Sequence, residues 1–120
     1  MTQGCINKMK TKQTEYYIGG HVHYYGGVNS FDFGHIHYYQ GITSRNYGGV
    51  DSHRHYLGGV TTFNNGHVHC YQVVTGPGIP AGIGCHVHCF YGITSANGRG
   101  PHVHRYLGTT LPAPNDRYYY

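Results

Sequence analysis

Polar and apolar residues of this chain alternate with a period of two in six short segments that share one motif. The motif reads His-x-His-x-aromatic-x-Gly-x-Thr, and the position between the histidines is Val or Ile in five of the six segments. Leu57 replaces the aromatic residue once, Val73 replaces the glycine once, and Asn29 replaces the threonine once. A period of two is typical of a β-strand, because successive side chains point to opposite faces. The pattern therefore predicts six strands that carry histidine, an aromatic ring, glycine and threonine on one face.

The segments between the predicted strands are rich in Gly, Asn and Pro, which favour turns. Because short and long spacings between the motifs alternate at first, we predict three double repeats at about 19–50, 51–83 and 84–111. We interpret 19–110 as a single repetitive β domain, 1–18 as an extended N-terminal arm and 111–120 as an extended tyrosine-rich tail. The predicted fold is all-β: a repetitive antiparallel β-sheet or a small β-barrel or sandwich, with a β-solenoid as the alternative.

Every histidine of the chain belongs to one of the six motifs. Two histidines at positions i and i+2 of a strand point the same way, about 6.5 Å apart, and a neighbouring strand about 4.8 Å away can supply further ligands. Neutral imidazole favours copper, zinc or nickel. The pattern therefore predicts transition-metal binding through His21, His23, His35, His37, His53, His55, His67, His69, His86, His88, His102 and His104.

Strand order decides which histidine pairs can share a metal ion. In an antiparallel arrangement the odd-numbered and even-numbered motifs place their histidines at opposite ends of the sheet. This predicts two groups of six, one from the first, third and fifth motifs and one from the second, fourth and sixth. In a parallel solenoid all twelve histidines would line a single ladder.

The composition suggests association between copies of the chain. Only 38% of the 120 residues are hydrophobic, with 14 tyrosines, 20 glycines and no tryptophan. So few aliphatic residues leave little apolar area to stabilise a lone fold. We therefore predict a structural, self-assembling subunit of a homopolymer, either a filament or a surface or spore-coat-like layer, with contacts between subunits through Cys5, Tyr118, Tyr119 and Tyr120. A soluble protein for metal storage or buffering is the alternative.

Enzyme activity is not expected. The only glutamate is Glu15 in the arm, and no general base or nucleophile motif accompanies the predicted metal ligands. The net charge of +4 is too small to indicate nucleic-acid binding. We see neither a secretory signal nor an apolar run long enough for a membrane span. An assembly outside the cell or at a cell or spore surface is the expected location, with the cytoplasm as the alternative.

Three cysteines flank the histidines on the Val face of the predicted strands. If the fourth and fifth motifs pair in antiparallel fashion, Cys70 lies opposite Cys85, within the range of a disulfide. Two buried thiols are the alternative interpretation.

The segment TGPGIPAGIGCHVHCFYGITSANGRGPHVHRYLGTT, residues 75–110, resembles the YmaF family of small bacterial proteins. The resemblance lies in the repeated His-x-His, the Gly-Ile/Val-Thr ends of the motifs, and the turn formed by Thr75, Gly76, Pro77, Ile79 and Pro80. It extends over roughly 19–110. Acidic residues that the family carries in loops and strands are replaced here by Tyr, Gly and Cys. The resemblance implies a bacterial or similar origin and does not imply a defined activity.

Overall fold

The structure, a computed structural model, describes residues 20–47 and 53–115. The predictions for the arm, the tail, Cys5 and Tyr118, Tyr119 and Tyr120 concern residues outside these ranges. The described strands are β1 (Tyr24–Val28), β2 (Tyr38–Ile42), β3 (Tyr56–Val60), β4 (Cys70–Val74), β5 (Gly78–Pro80), β6 (Cys85–Ile93), β7 (Arg105–Thr109) and β8 (Ala113–Pro114).

All strand pairing is antiparallel within the described ranges. Strand β1 pairs with β2, β3 pairs with β4, and β6 pairs with β7, so each double repeat forms one hairpin. The short strands β5 and β8 both add to β6. Within residues 20–47 and 53–115 the all-β prediction is confirmed as three small sheets, none of them closed into a barrel, and the solenoid alternative is wrong because the strands pair in antiparallel fashion. No helix in the described part of the chain is long and apolar enough to cross a membrane.

Most histidine pairs lie just before the strands rather than inside them, which corrects the predicted boundaries. Of the six strands that form the hairpins, five begin one residue after the second histidine of their motif, and only β6 includes its own histidine pair. The reason is visible at His23. Its carbonyl accepts the backbone N–H of Thr43, but its own N–H donates to the Thr43 side-chain oxygen at 3.0 Å. The extended backbone continues, while the threonine side chain takes the place of one ladder acceptor.

The three hairpins are joined to one another in a closed ring. The backbone N–H of Ser44 in the first hairpin donates to the carbonyl oxygen of Tyr56 in the second. The N–H of Gly76 in the second hairpin donates to the carbonyl oxygen of Cys89 in the third. The N–H of Leu111 then donates back to the carbonyl oxygen of Tyr24 in the first hairpin at 2.8 Å. A corresponding set of bonds runs from the other ends of the hairpins. The hairpins therefore pack around a common axis with approximate threefold symmetry.

The core consists of the residue at the aromatic position of each motif. These six residues are buried and contact one another: Tyr25, Tyr39, Leu57, Tyr71, Phe90 and Tyr106. Across each hairpin an aromatic residue faces a glycine, as Tyr25 faces Gly41. A Cβ at Gly41 would lie 2.6 Å from the Tyr25 hydroxyl, so the glycine makes room for the ring. The two exceptions face each other, because Leu57 pairs with Val73. Leu57 is smaller than the aromatic ring of the other motifs, and Val73 is larger than the glycine.

The predicted disulfide between Cys70 and Cys85 is wrong. Cys70 is an exposed free thiol, which also excludes the alternative of two buried thiols. The prediction assumed pairing between the fourth and fifth motifs, but β4 pairs with β3, so that Cys70 faces Val60. In the strand register Cys85 lies opposite Pro114 of β8 instead.

Candidate metal centres

The twelve histidines converge in two groups of six at opposite ends of the aromatic core. Because the two strands of each hairpin are antiparallel, one strand brings its histidines to one end and its partner brings them to the other. Cluster one contains His21, His23, His53, His55, His86 and His88. Cluster two contains His35, His37, His67, His69, His102 and His104. This membership is the one that the antiparallel order predicts.

The second histidine of every pair is anchored by a neighbouring hairpin or by the segment that follows the last one. In cluster one the Nδ1 atoms of His23, His55 and His88 lie 2.8–2.9 Å from the carbonyl oxygens of Leu111, Ser44 and Gly76. In cluster two the Nδ1 atoms of His37, His69 and His104 lie 2.8–2.9 Å from the carbonyl oxygens of Thr62, Ser95 and Ser30. The contacts that hold the hairpins together therefore also orient the rings.

The first histidines of cluster two are anchored locally, by the hairpin turns. The Nδ1 atoms of His35, His67 and His102 each lie 3.0–3.1 Å from the carbonyl oxygen two residues earlier in the chain. The turn backbone thus sets the direction in which these three rings point. In cluster one the Nδ1 atom of His86 instead lies 2.9 Å from the side-chain oxygen Oδ1 of Asn115.

These contacts determine where the imidazole protons are. A carbonyl oxygen can only accept, so each Nδ1 that faces one must carry the proton and donate it. The Nε2 atom of the same neutral ring is then an unprotonated lone pair. This holds for all six histidines of cluster two. In metal-binding histidines, a hydrogen bond of this kind from the outer nitrogen, here Nδ1, orients the ring so that the other nitrogen can bind the metal.

The Nε2 atoms of each cluster meet at short range. In cluster two the Nε2 atoms of His67 and His69 are 3.1 Å apart, and those of His35 and His102 are 3.3 Å apart. Neither nitrogen of these pairs has a proton to share, so the contacts bring lone pairs together. Within the described residues the Nε2 atoms of His37, His55, His88 and His104 are buried without a hydrogen-bond partner. A cation at the centre would satisfy all of these atoms.

Burial keeps the rings neutral. The second histidines are 0–1% exposed, and loss of solvation is the largest cause that lowers their pKa values. It lowers the pKa of His23 to about 3 and those of His55 and His69 to about 4, while backbone hydrogen bonds oppose the shift and neighbouring histidines add to it. Burial, then the nearby His21, lowers the pKa of His86 to about 4. Neutral imidazole is the form that binds metal.

Five histidines of each cluster are close enough together to hold one metal ion. Their ligand nitrogens all lie within 4.8 Å of one another. The donor set is entirely imidazole, which suits transition metals rather than magnesium or calcium. Cys70 and Cys89 do not take part, since both are exposed free thiols.

A buried Thr or Asn supports each second histidine, a role that the motif did not reveal. The backbone N–H of His55 donates to Thr75 Oγ1 at 3.1 Å, and that of His37 donates to Asn29 Oδ1 at 3.0 Å. The sequence signal was present, because one such residue ends every motif on the histidine face. The carbonyl oxygens that face Nδ1 leave no such signal, since any residue type supplies a carbonyl.

Comparison with known proteins finds one family. Searches of curated proteins and of solved structures found no significant match. The family model of YmaF, described as spore germination protein GerY/YamF, matches residues 20–112. The match includes all twelve histidines and strands β1 to β7, and it ends just before β8. The chain therefore belongs to the YmaF family.

Proposed function

We propose that the protein is a structural metal-binding protein in which each histidine cluster holds one transition-metal ion. The observation that carries the proposal is the convergence of unprotonated Nε2 atoms whose outer nitrogens are fixed by carbonyl oxygens. Such an arrangement leaves lone pairs buried against one another unless a cation lies between them. Copper, zinc and nickel are the candidate metals that the sequence suggests.

A structural role suits these sites better than storage, buffering or catalysis. Each cluster draws ligands from all three hairpins, so one ion would cross-link segments as distant as His35 and His102. The free energy of metal binding would then add to the free energy of folding. Deep burial of the second histidines disfavours the rapid exchange that a buffer needs. A catalytic metal keeps a coordination position open, whereas these centres are surrounded by ligand side chains, so we propose no enzyme activity.

Metal content can be tested on the full-length chain, purified without a nickel column. Elemental analysis and titration with Zn²⁺, Cu²⁺ and Ni²⁺ should give one ion per cluster. The variants His53→Gln and His67→Gln each alter one cluster and serve as controls for each other. Each should bind its weakened ion less tightly while the other cluster binds as before. Wild-type protein that is purified without metal and takes up none of the three ions would contradict the proposal.

We further propose that the protein assembles with copies of itself. Supporting this, the outer faces of the hairpins expose cross-strand pairs of large apolar side chains, such as Tyr24 with Ile42 and Val28 with Tyr38. The third hairpin exposes Tyr91 beside Leu107, which is 73% exposed. Contiguous exposed apolar surface marks protein–protein contacts.

A second copy of the chain is the occupant that we propose for these faces. The hairpins repeat the surface around the axis, so one molecule can contact several others and build a filament or layer. The description of the matching family names spore germination, which supports an assembly associated with spores. Cys5, Tyr118, Tyr119 and Tyr120 remain proposed contacts between subunits.

Assembly can be tested by light scattering and electron microscopy of metal-loaded protein. The double variant Tyr38→Thr with Ile42→Thr removes apolar side chains from the outer face of β2 and should reduce particle size. The matched control is Gln40→Thr, because Gln40 lies between them on the same exposed face and is already polar. Wild-type protein that stays monomeric at high concentration with metal bound would rule out self-assembly.

A further inference from the structure

We infer that each cluster is a six-coordinate, octahedral site in which all six histidines bind one ion through Nε2. The inference rests on the proposed metal binding and deepens it by naming the coordination number and the class of metal. It adds His23 to the ligands of cluster one and His37 to those of cluster two, beyond the five in each that lie within the common 4.8 Å range.

The six rings of cluster one are arranged like the corners of an octahedron, and the contacts between them correspond to its edges. Neighbouring rings have centroids 4.5–5.1 Å apart and are inclined by 61–89°. Among these described residues every ring is adjacent to all the others except one. The excluded pairs are His21 with His88, His53 with His23, and His86 with His55. Each histidine has one opposite partner, which is the relation between the corners of an octahedron.

Cluster two repeats the arrangement with the corresponding residues. Neighbouring centroids are 4.7–5.1 Å apart and the rings are inclined by 65–86°. Within this described cluster the pairs without a ring contact are His35 with His69, His67 with His104, and His102 with His37. In both clusters a first histidine lies opposite a second histidine of another hairpin. Two sites built from different residues therefore share one geometry.

The distances between Nε2 atoms permit this geometry, and the adjacency of the rings is what favours six ligands over four. A metal–nitrogen bond of about 2.1 Å places adjacent nitrogens about 3.0 Å apart in an octahedron and about 3.4 Å apart in a tetrahedron. The Nε2 atom of His86 lies 2.9 Å from that of His21, 3.2 Å from that of His23 and 3.3 Å from that of His53. All three are adjacent corners of the proposed octahedron. Opposite corners at these spacings are about 4.1–4.7 Å apart, within the 4.8 Å range that the ligand atoms of His21, His53, His55, His86 and His88 share.

His23 and His37 are oriented like their counterparts in the other hairpins. The Nδ1 atoms of both face a carbonyl oxygen at 2.8–2.9 Å, as do those of His55 and His104. The Nε2 atom of His37 is buried without a partner among the described residues, like that of His104. Both histidines are thus prepared to donate the same nitrogen to the same centre.

Six imidazole nitrogens in an octahedron favour Ni²⁺, Co²⁺ and Fe²⁺. Zinc prefers four ligands in a tetrahedron, and copper(II) prefers a tetragonal arrangement. Either of these ions would leave buried imidazole nitrogens without a partner. With six ligands bound, no coordination position remains for water or a substrate.

Cobalt is the probe that reports coordination number directly. Metal-free wild-type protein is titrated with Co²⁺ and its visible spectrum is recorded. Six-coordinate cobalt gives a weak pink absorption, whereas four-coordinate cobalt gives an intense blue one. We expect the weak spectrum at both clusters, and X-ray absorption of the Ni²⁺-loaded protein should show a shell of six nitrogen neighbours. An intense blue spectrum or a four-nitrogen shell would overturn the inference and leave metal binding standing, whereas no uptake of either ion would overturn both.

The variant His37→Gln tests the added ligand without disturbing cluster one, which serves as the internal control. Ni²⁺ should dissociate from cluster two at least ten times more readily, while cluster one keeps its affinity. Unchanged affinity at both clusters would overturn the role of His37. If this variant does not fold, the absorption spectra of the wild-type protein still decide the coordination number.

Discussion

The pairing of Leu57 with Val73 predicts that two substitutions, each harmful alone, will be tolerated together. In the other motifs an aromatic ring faces a glycine across the hairpin. At Gly59 a Cβ would lie 3.0 Å from the Tyr71 hydroxyl, and at Gly41 it would lie 2.6 Å from the Tyr25 hydroxyl. Val73 has a Cβ and two methyl groups in this position, so it fits only opposite a shorter residue. The double variant Leu57→Tyr with Val73→Gly restores the common pattern.

The expected magnitudes follow from these contacts. Leu57→Tyr alone forces the new ring against Val73, and overpacking of this kind costs about 1–3 kcal/mol. Val73→Gly alone removes a partly buried side chain that packs against the core, and introduces a flexible residue into a strand. The lost side chain and the added flexibility make Val73→Gly alone cost about 2–3 kcal/mol. In the double variant both costs disappear except for the backbone entropy of the new glycine, about 0.5–1 kcal/mol, so the coupling energy between the two sites should be roughly 2–5 kcal/mol.

Urea unfolding of the wild type, both single variants and the double variant measures this coupling. All four are compared at one fixed metal concentration, because bound metal raises the apparent stability. The control pair is Leu57→Tyr with Val60→Gly, the same chemical changes with the valine taken from the exposed, outer face of β3. The control pair should show additive effects. If the changes at Leu57 and Val73 are additive as well, the account of core packing is refuted.

Three further predictions concern the histidine clusters and their supports. The unfolding free energy of metal-free protein should fall as the pH drops from about 6.5 towards about 4. The reason is that His55, His69 and His86 have lowered pKa values when folded, so the unfolded chain binds more protons in this range. Urea titrations at several pH values should show the unfolding free energy changing by at least about 1.4 kcal/mol per pH unit, and a flat profile would contradict the prediction. Asn29→Thr should raise the unfolding free energy by about 1 kcal/mol, since it removes a buried Nδ2 that has no partner among the described residues, and a loss of stability in urea would contradict this. Nickel at 100 times its dissociation constant should stabilise the fold by about 2.7 kcal/mol per cluster in calorimetry, and a chelator should reverse the gain; an unchanged melting temperature would show that the ion does not join the hairpins.

Sequence alone predicted the all-β fold, and for the antiparallel arrangement, one of the two that it left open, it also predicted the membership of the two clusters. The period of two places His, aromatic residue, glycine and threonine on one face, and the burial of His23 and Tyr25 beside exposed Tyr24 follows that pattern. Antiparallel order between successive strands then divides the histidines into two ends. Both results depend only on local geometry, namely the alternation of side chains and the reversal of direction at each turn.

Tertiary structure decided how the hairpins meet, and the sequence could not reveal it. The disulfide prediction failed because Cys70 lies in a hairpin that pairs within its own repeat, and nothing local distinguishes that pairing from one with the next repeat. The coordination geometry likewise depends on closure of three hairpins into a ring. His55 and His88 are aimed by the carbonyl oxygens of Ser44 and Gly76, which lie 11 and 12 residues away in the chain. Backbone carbonyls are identical in every residue, so only the three-dimensional arrangement shows which of them orient a ring towards a metal.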